Sequence, residues 1–145
     1  MATKREDRQI LNGGLTQKQY TSALCGGKAH YEYIHTSTDA TATVVHAESV
    51  AELAGCSIKV VALGVRSTGA EAFRCEYIHA FKRAAAGDIT AVGSATNVTV
   101  EDSSGSPTVT IVANTGNQTA DVTITPEAAK TFVWHVSVEV IKISN

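Results

Sequence analysis

No stretch of this 145-residue sequence is apolar for long enough to cross a bilayer, and the charged N-terminus, MATKREDRQILNGG, has no apolar run behind it. These absences predict a chain made and folded in a cytoplasm, with no membrane partner. Cysteine is scarce and odd in number. Cys25, Cys56 and Cys75 show no CxxC spacing, so neither a complete disulfide framework nor a zinc knuckle follows, and buried thiols are expected. In that compartment Asn97-Val98-Thr99 and Asn117-Gln118-Thr119, which match the glycosylation pattern, are strand and turn residues. An excess of one charge is also missing: a net charge of -2 argues against a nucleic-acid footprint.

Chemical motifs are equally sparse. His30, His35, His46, His79 and His135 include no HxH or HxxxH pair, so no metal is expected, and His79 and His135 are read as hydrogen-bonded interior or interface residues. Asp39, Asp88, Glu101, Asp102 and Asp121 fall at turns or outward positions, where solvation is the ordinary role of a carboxylate. There is no GxSxG elbow, and Cys25 lies in a Gly-flanked segment with no activating base. None of the Gly pairs opens a helix after a strand, as a phosphate cradle requires, and no βαβ alternation is present. The expectation is a protein with no enzymatic activity and no cofactor.

What the sequence does contain is strand pattern. In Thr131 to Ile143, Phe132, Trp134, Val136, Val138 and Val140 alternate with Val133, His135, Ser137, Glu139 and Ile141, which predicts a long strand with one buried face that closes the core. Residues 57–66 read as a mostly buried strand. Residues 71–83 place Phe73, Cys75, Tyr77, His79 and Phe81 on one face. Further strands are expected at 89–92 and 95–100, with Gly93-Ser94 as a bulge between them, and at 108–113 and 120–125, where Val122 and Ile124 face in and Asp121 and Thr123 face out. Residues 30–35 and 41–46 read as a hairpin turned by Ser37-Thr38-Asp39. Glu48 to Gly55 predicts one helical turn, with Ser49 and Glu52 as a capping box and Gly55 as the stop. Pro126 to Lys130 is a loop or one helical turn. About eight short strands separated by Gly, Ser, Asn and Asp clusters predict an all-β fold, a β-sandwich or jelly roll, over residues 29–145.

Residues 1–28 differ. They mix Lys4, Arg5, Glu6, Asp7 and Arg8 with Gly pairs and carry few apolar groups, which predicts an extended N-terminal arm that is disordered alone or held against a neighbour. Ile10, Leu11, Leu15 and Tyr20 are its candidate partner-binding residues.

Three runs carry a resemblance: Ala70-Glu71-Ala72-Phe73 to Ala80-Phe81-Lys82-Arg83, then Ala86-Gly87-Asp88-Ile89-Thr90-Ala91-Val92-Gly93-Ser94, and finally Thr131 to Val140 with its tryptophan. Together they resemble small β-sandwich virion proteins of tailed bacteriophages, in which a strand ending in an aromatic and basic step enters a Gly turn and the domain finishes on a Trp-containing strand. The resemblance covers about residues 57–143 and leaves the arm outside it. It implies a virion structural protein, foremost a capsid decoration (cement) protein assembled in the host cytoplasm, whose partners are the major capsid protein or other virion proteins. It also implies a homo-oligomer, a trimer among the forms that fit. The alternative is a tail-fibre or receptor-binding module whose loops at 103–107 and 114–117 contact host glycans.

Overall fold

A computed structural model describes the backbone of residues 5–11, 15–21, 27–101 and 107–144, and the side chains of 27–99 and 107–144. The fold is all-β, with every strand pair antiparallel. Its strands are β1 (Arg5–Leu11), β2 (Leu15–Thr21), β3 (Lys28–Ser37), β4 (Thr43–Ser49), β5 (Ala54–Arg66), β6 (Ala72–Arg83), β7 (Ile89–Glu101), β8 (Thr108–Asn114), β9 (Thr119–Thr125) and β10 (Phe132–Ser144). Seven form one sheet in the order β1-β2-β3-β10-β5-β6-β7, and three form the other in the order β4-β9-β8. The sandwich expected from residue 29 onward is thus built from β3 to β10. β1 and β2 fall in the segment read as an arm; their backbones form a hairpin whose second strand pairs with β3. The side chains of Ile10, Leu11, Leu15 and Tyr20 lie outside the described residues.

β10 is the centre of the large sheet, hydrogen-bonded to β3 on one side and β5 on the other. Its alternation holds as read: Phe132, Trp134, Val136, Val138 and Val140 are all fully buried. They meet Ile58, Val60 and Ala62 of β5 and, from the small sheet, Val45, Val109, Ile111, Val122 and Ile124. Trp134 lies over Gly64 of β5, its registered partner, where an added Cβ would come within 2.6 Å of the indole. Only glycine leaves room for that ring. Phe73 then meets the indole edge-on, with centroids 5.6 Å apart, and the indole N–H donates to Ser37 Oγ at 2.9 Å.

Two local expectations give way. β3 and β4 are not a hairpin: β3 has both edges taken, by β2 and β10, and residues 38–42 carry the chain across to the small sheet, where β4 pairs with β9. The segment from Glu48 to Gly55 is not helical. Strands claim both its ends, Val50 is buried with its N–H donating to Gln118 O at 3.1 Å, and a tight turn with Leu53 at φ 59° leaves no room for a helical turn. The bulge at Gly93 is present, inside a single long β7. Gly93 takes φ 68°, and residues 93–95 together face His79 on β6, between the pairs Ile78–Thr96 and Ala80–Val92. His79 is half-buried; its two ring nitrogens each lie 3.3 Å from a carbonyl oxygen, that of Ile111 on β8 and that of Gly93.

Candidate functional site

The densest polar chemistry lies between the sheets. Tyr33 of β3 places its hydroxyl 2.5 Å from His46 Nδ1 on β4, His46 Nε2 lies 3.0 Å from Glu48 Oε2, and the other oxygen of Glu48 meets Lys142 Nζ of β10. Lys142 also donates to Ser49 O at 3.0 Å, and the Tyr31 ring packs against His46 at a tilt of 41° with centroids 4.5 Å apart. With the imidazole neutral and its proton on Nε2, Tyr33 donates to His46 and His46 donates to Glu48, leaving one carboxylate facing one ammonium. Every group then has a partner of the right kind. Burial pushes the Glu48 carboxyl up, but the contacts from His46 and Lys142 outweigh it and hold it below the usual carboxylate range. Burial, with Tyr31 and Glu48 nearby, pushes the Tyr33 phenol well up.

A β-bulge makes this arrangement. Val44 pairs with Thr123 and His46 with Val122, so Val45 is an extra residue in β4. The extra residue shifts the phase of the strand, so Val45 and His46 are both buried and Glu48 follows His46 inward. A strict two-residue alternation cannot anticipate this. The readable signal was the His46-Ala47-Glu48 spacing, which puts an imidazole and a carboxylate on the same side of a strand.

Beyond Lys142 the surface opens into a hollow of about 420 Å³ lined by Ser49, Val50, Ala54, Gly55, Cys56 and Lys142, next to a shallower one of about 350 Å³ that shares Gly55, Cys56 and Lys142. Its chemical resources are slight. Burial raises the Cys56 thiol to about 11, so it is protonated at neutral pH and a poor nucleophile. The Tyr33 hydroxyl is sealed inside, and the Lys142 ammonium already serves Glu48 and Ser49. This chain of groups ties β4 to β3 and β10.

The other expected residues distribute as follows. Cys56 and Cys75 are buried free thiols, as read. His135 is not interior: it is exposed on the outer face of β10, and the buried imidazoles are instead His35 and His46. Asp121 is not solvated; it is buried and accepts hydrogen bonds from Thr119 Oγ1 at 2.6 Å and Asn114 Nδ2 at 2.8 Å. Asp39 and Asp88 are exposed, and Glu101 and Asp102 lie outside the described side chains. Among the described residues, no group of three His, Cys, Asp or Glu side chains is placed to hold a metal.

The open surfaces are more distinctive. On the outer face of the large sheet, the register sets Ile34 and Leu63 on either side of His135, and Val65 beside Val133, so four apolar side chains between 38% and 54% exposed form one patch. Arg74 and Glu76 of β6 and Lys59 of β5 border it as ion pairs. At the end of this sheet β7 pairs, among the described residues, with β6 alone. A third feature is the cluster of turns at 84–88 and 115–118, where Gln118 donates to Asp88 Oδ1 at 2.7 Å and accepts from the Ile89 N–H at 2.9 Å. The chain matches no known family model, no curated protein and no solved structure.

Proposed function

We propose that this chain is a structural protein of a bacteriophage virion that acts by binding, as a homo-oligomer that decorates the capsid and stabilises it across the junctions of capsid subunits. The observation that carries this reading is the apolar outer face of Ile34, Leu63, Val65 and Val133, a contiguous patch on the large sheet. Such a face suits docking against another protein. The resemblance of residues 57–143 to phage virion sandwiches supplies the setting, and the segment of residues 1–28, whose hairpin extends the sheet past β3, supplies a second contact at that edge. The test is co-sedimentation of the purified chain with phage heads that lack it. Saturable binding that is lost on deleting residues 2–28, with the sandwich still folded, is expected; no binding, or binding unchanged by the deletion, overturns the cement role.

A second reading, a tail-fibre module that contacts host glycans, is favoured by the ordered cluster of Asp88, Asn114, Asn117 and Gln118. There the Gln118 amide donates to Asp88 and to Thr115 O, and the Asn117 backbone N–H donates to Asn114 Oδ1. Under that reading, replacing Asn117 and Asp88 with alanine reduces adsorption to host envelopes and leaves head stability unchanged.

A further inference from the structure

The large sheet has two edges, and they are guarded very differently. β1 carries four consecutive charged residues, Arg5-Glu6-Asp7-Arg8, a composition that discourages pairing with another strand. β7 is 13 residues long, and from Ile89 to Val100 it has no charged residue and no proline. From Thr90 to Thr99 it is exposed, apart from the half-buried Ala95, and among the described residues nothing pairs with its outer side. The small sheet offers shorter edges. β4 and β8 have seven residues each, β4 is bulged, and the Ile111 carbonyl of β8 already faces His79. β7 is therefore the longest edge and the least protected, a row of backbone donors and acceptors that only another extended strand can match.

We infer that β7 pairs with β7 of a second copy of this chain, antiparallel about a two-fold axis at Asn97, so that two seven-stranded sheets become one. Self-pairing fits this strand in particular. Beyond the bulge the ladder resumes at Thr96, and a two-fold at Asn97 sets Thr96 of each copy opposite Val98 of the other. Each pair is small or β-branched, and no like charges oppose one another. The flanking charges fit as well. Glu76 lies beside Val98 and Ile78 beside Thr96, so each row across the joined sheet contains one Glu76 and one Ile78, never two carboxylates. Pairing β7 with β1 of another copy would instead set the four charges of β1 against an uncharged strand and would leave a free edge at each end, so the assembly could not close.

This deepens the homo-oligomer part of the proposed function, and it rests on that reading only for its place in a virion. The experiment is sedimentation equilibrium on the full chain and on two exposed-site variants, T96K/V98K and T96E/V98E, with thermal melts to confirm that each folds. The wild type is expected to dimerise at micromolar concentration, and each variant alone to self-associate about a hundredfold more weakly because like charges then face each other. An equimolar mixture of the two variants is expected to recover dimers, since every facing pair becomes Lys with Glu. A wild type that stays monomeric, or an oligomer indifferent to both variants, overturns the inference. The head co-sedimentation separates the two claims. A chain that does not self-pair yet binds heads removes the pairing and spares the virion role, whereas a charge-sensitive dimer that ignores heads and envelopes does the reverse.

Discussion

β10 and β7 are both 13 residues long, both are rich in β-branched residues, and both lie in the same sheet. One has neighbours on both sides and five fully buried side chains; the other has a single neighbour and is open on both faces over most of its length. Strand propensity makes either segment extended, but position in the sheet decides whether extension is stabilising. In β10 every residue contributes to a core or a ladder. In β7 the same kind of sequence contributes to a surface, and its side chains are free to be selected for contact with something else.

That contrast can be broken most forcefully at the centre. Gly64→Ala drives a methyl group into the Trp134 ring and is expected to cost about 3 kcal/mol, read as a lower midpoint in urea. Trp134→Ala, which empties the same site and orphans Ser37, is expected to cost about 4 kcal/mol by the same measurement. It would be the largest effect in the chain. Next comes the inter-sheet network. Glu48→Ala leaves His46 and Lys142 without their carboxylate and is expected to cost about 2 kcal/mol. Because Glu48 titrates below its ordinary 4.5 in the fold, its contribution is complete above pH 4.5 and is lost as pH falls through the lower folded value. Acid denaturation of the variant should therefore be shallower below pH 4.5.

Smaller again is His35, buried with Nδ1 lacking a hydrogen-bond partner and held below its ordinary 6.5 by burial. The unfolded chain takes up this proton first as pH drops, so stability declines from pH 6.5 downward and levels off once the folded imidazole also titrates. His35→Leu is expected to raise stability by about 1 kcal/mol and to flatten that decline. At the far edge the comparison sharpens: Val98→Ala, about half exposed in the folded chain, is expected to move the melting free energy by less than about 0.5 kcal/mol.

What could be read from residues alone follows the same division. The faces of β10 and β6, the kink at Gly93 and the turn at Asn114 to Asn117 were legible because each is local: alternation, a glycine, a cluster of turn formers. The placement of β4 was not. Short sequence separation suggested pairing it with β3, whereas β10, far along the chain, takes that edge. The His46 and Glu48 pair stayed hidden because one bulged residue, Val45, shifts the phase of the strand. Asp121 looked solvated because nothing local says that Asn114 and Thr119 will close over it. In each case the missing information is a contact across the fold, which no window of neighbouring residues contains.

The insertion of β10 between β3 and β5 also sets an order of events. While the chain is being synthesised, β5, β6 and β7 can zip together as a meander, but β3 has no route to them until residues 132–144 leave the ribosome. Until then the apolar sides of β3 and β5 have nothing to span the gap between them. The native sheet thus waits on a long-range closure of the kind that makes all-β chains slow to fold. A chain stalled before Phe132 would be a target for chaperones rather than a smaller working domain.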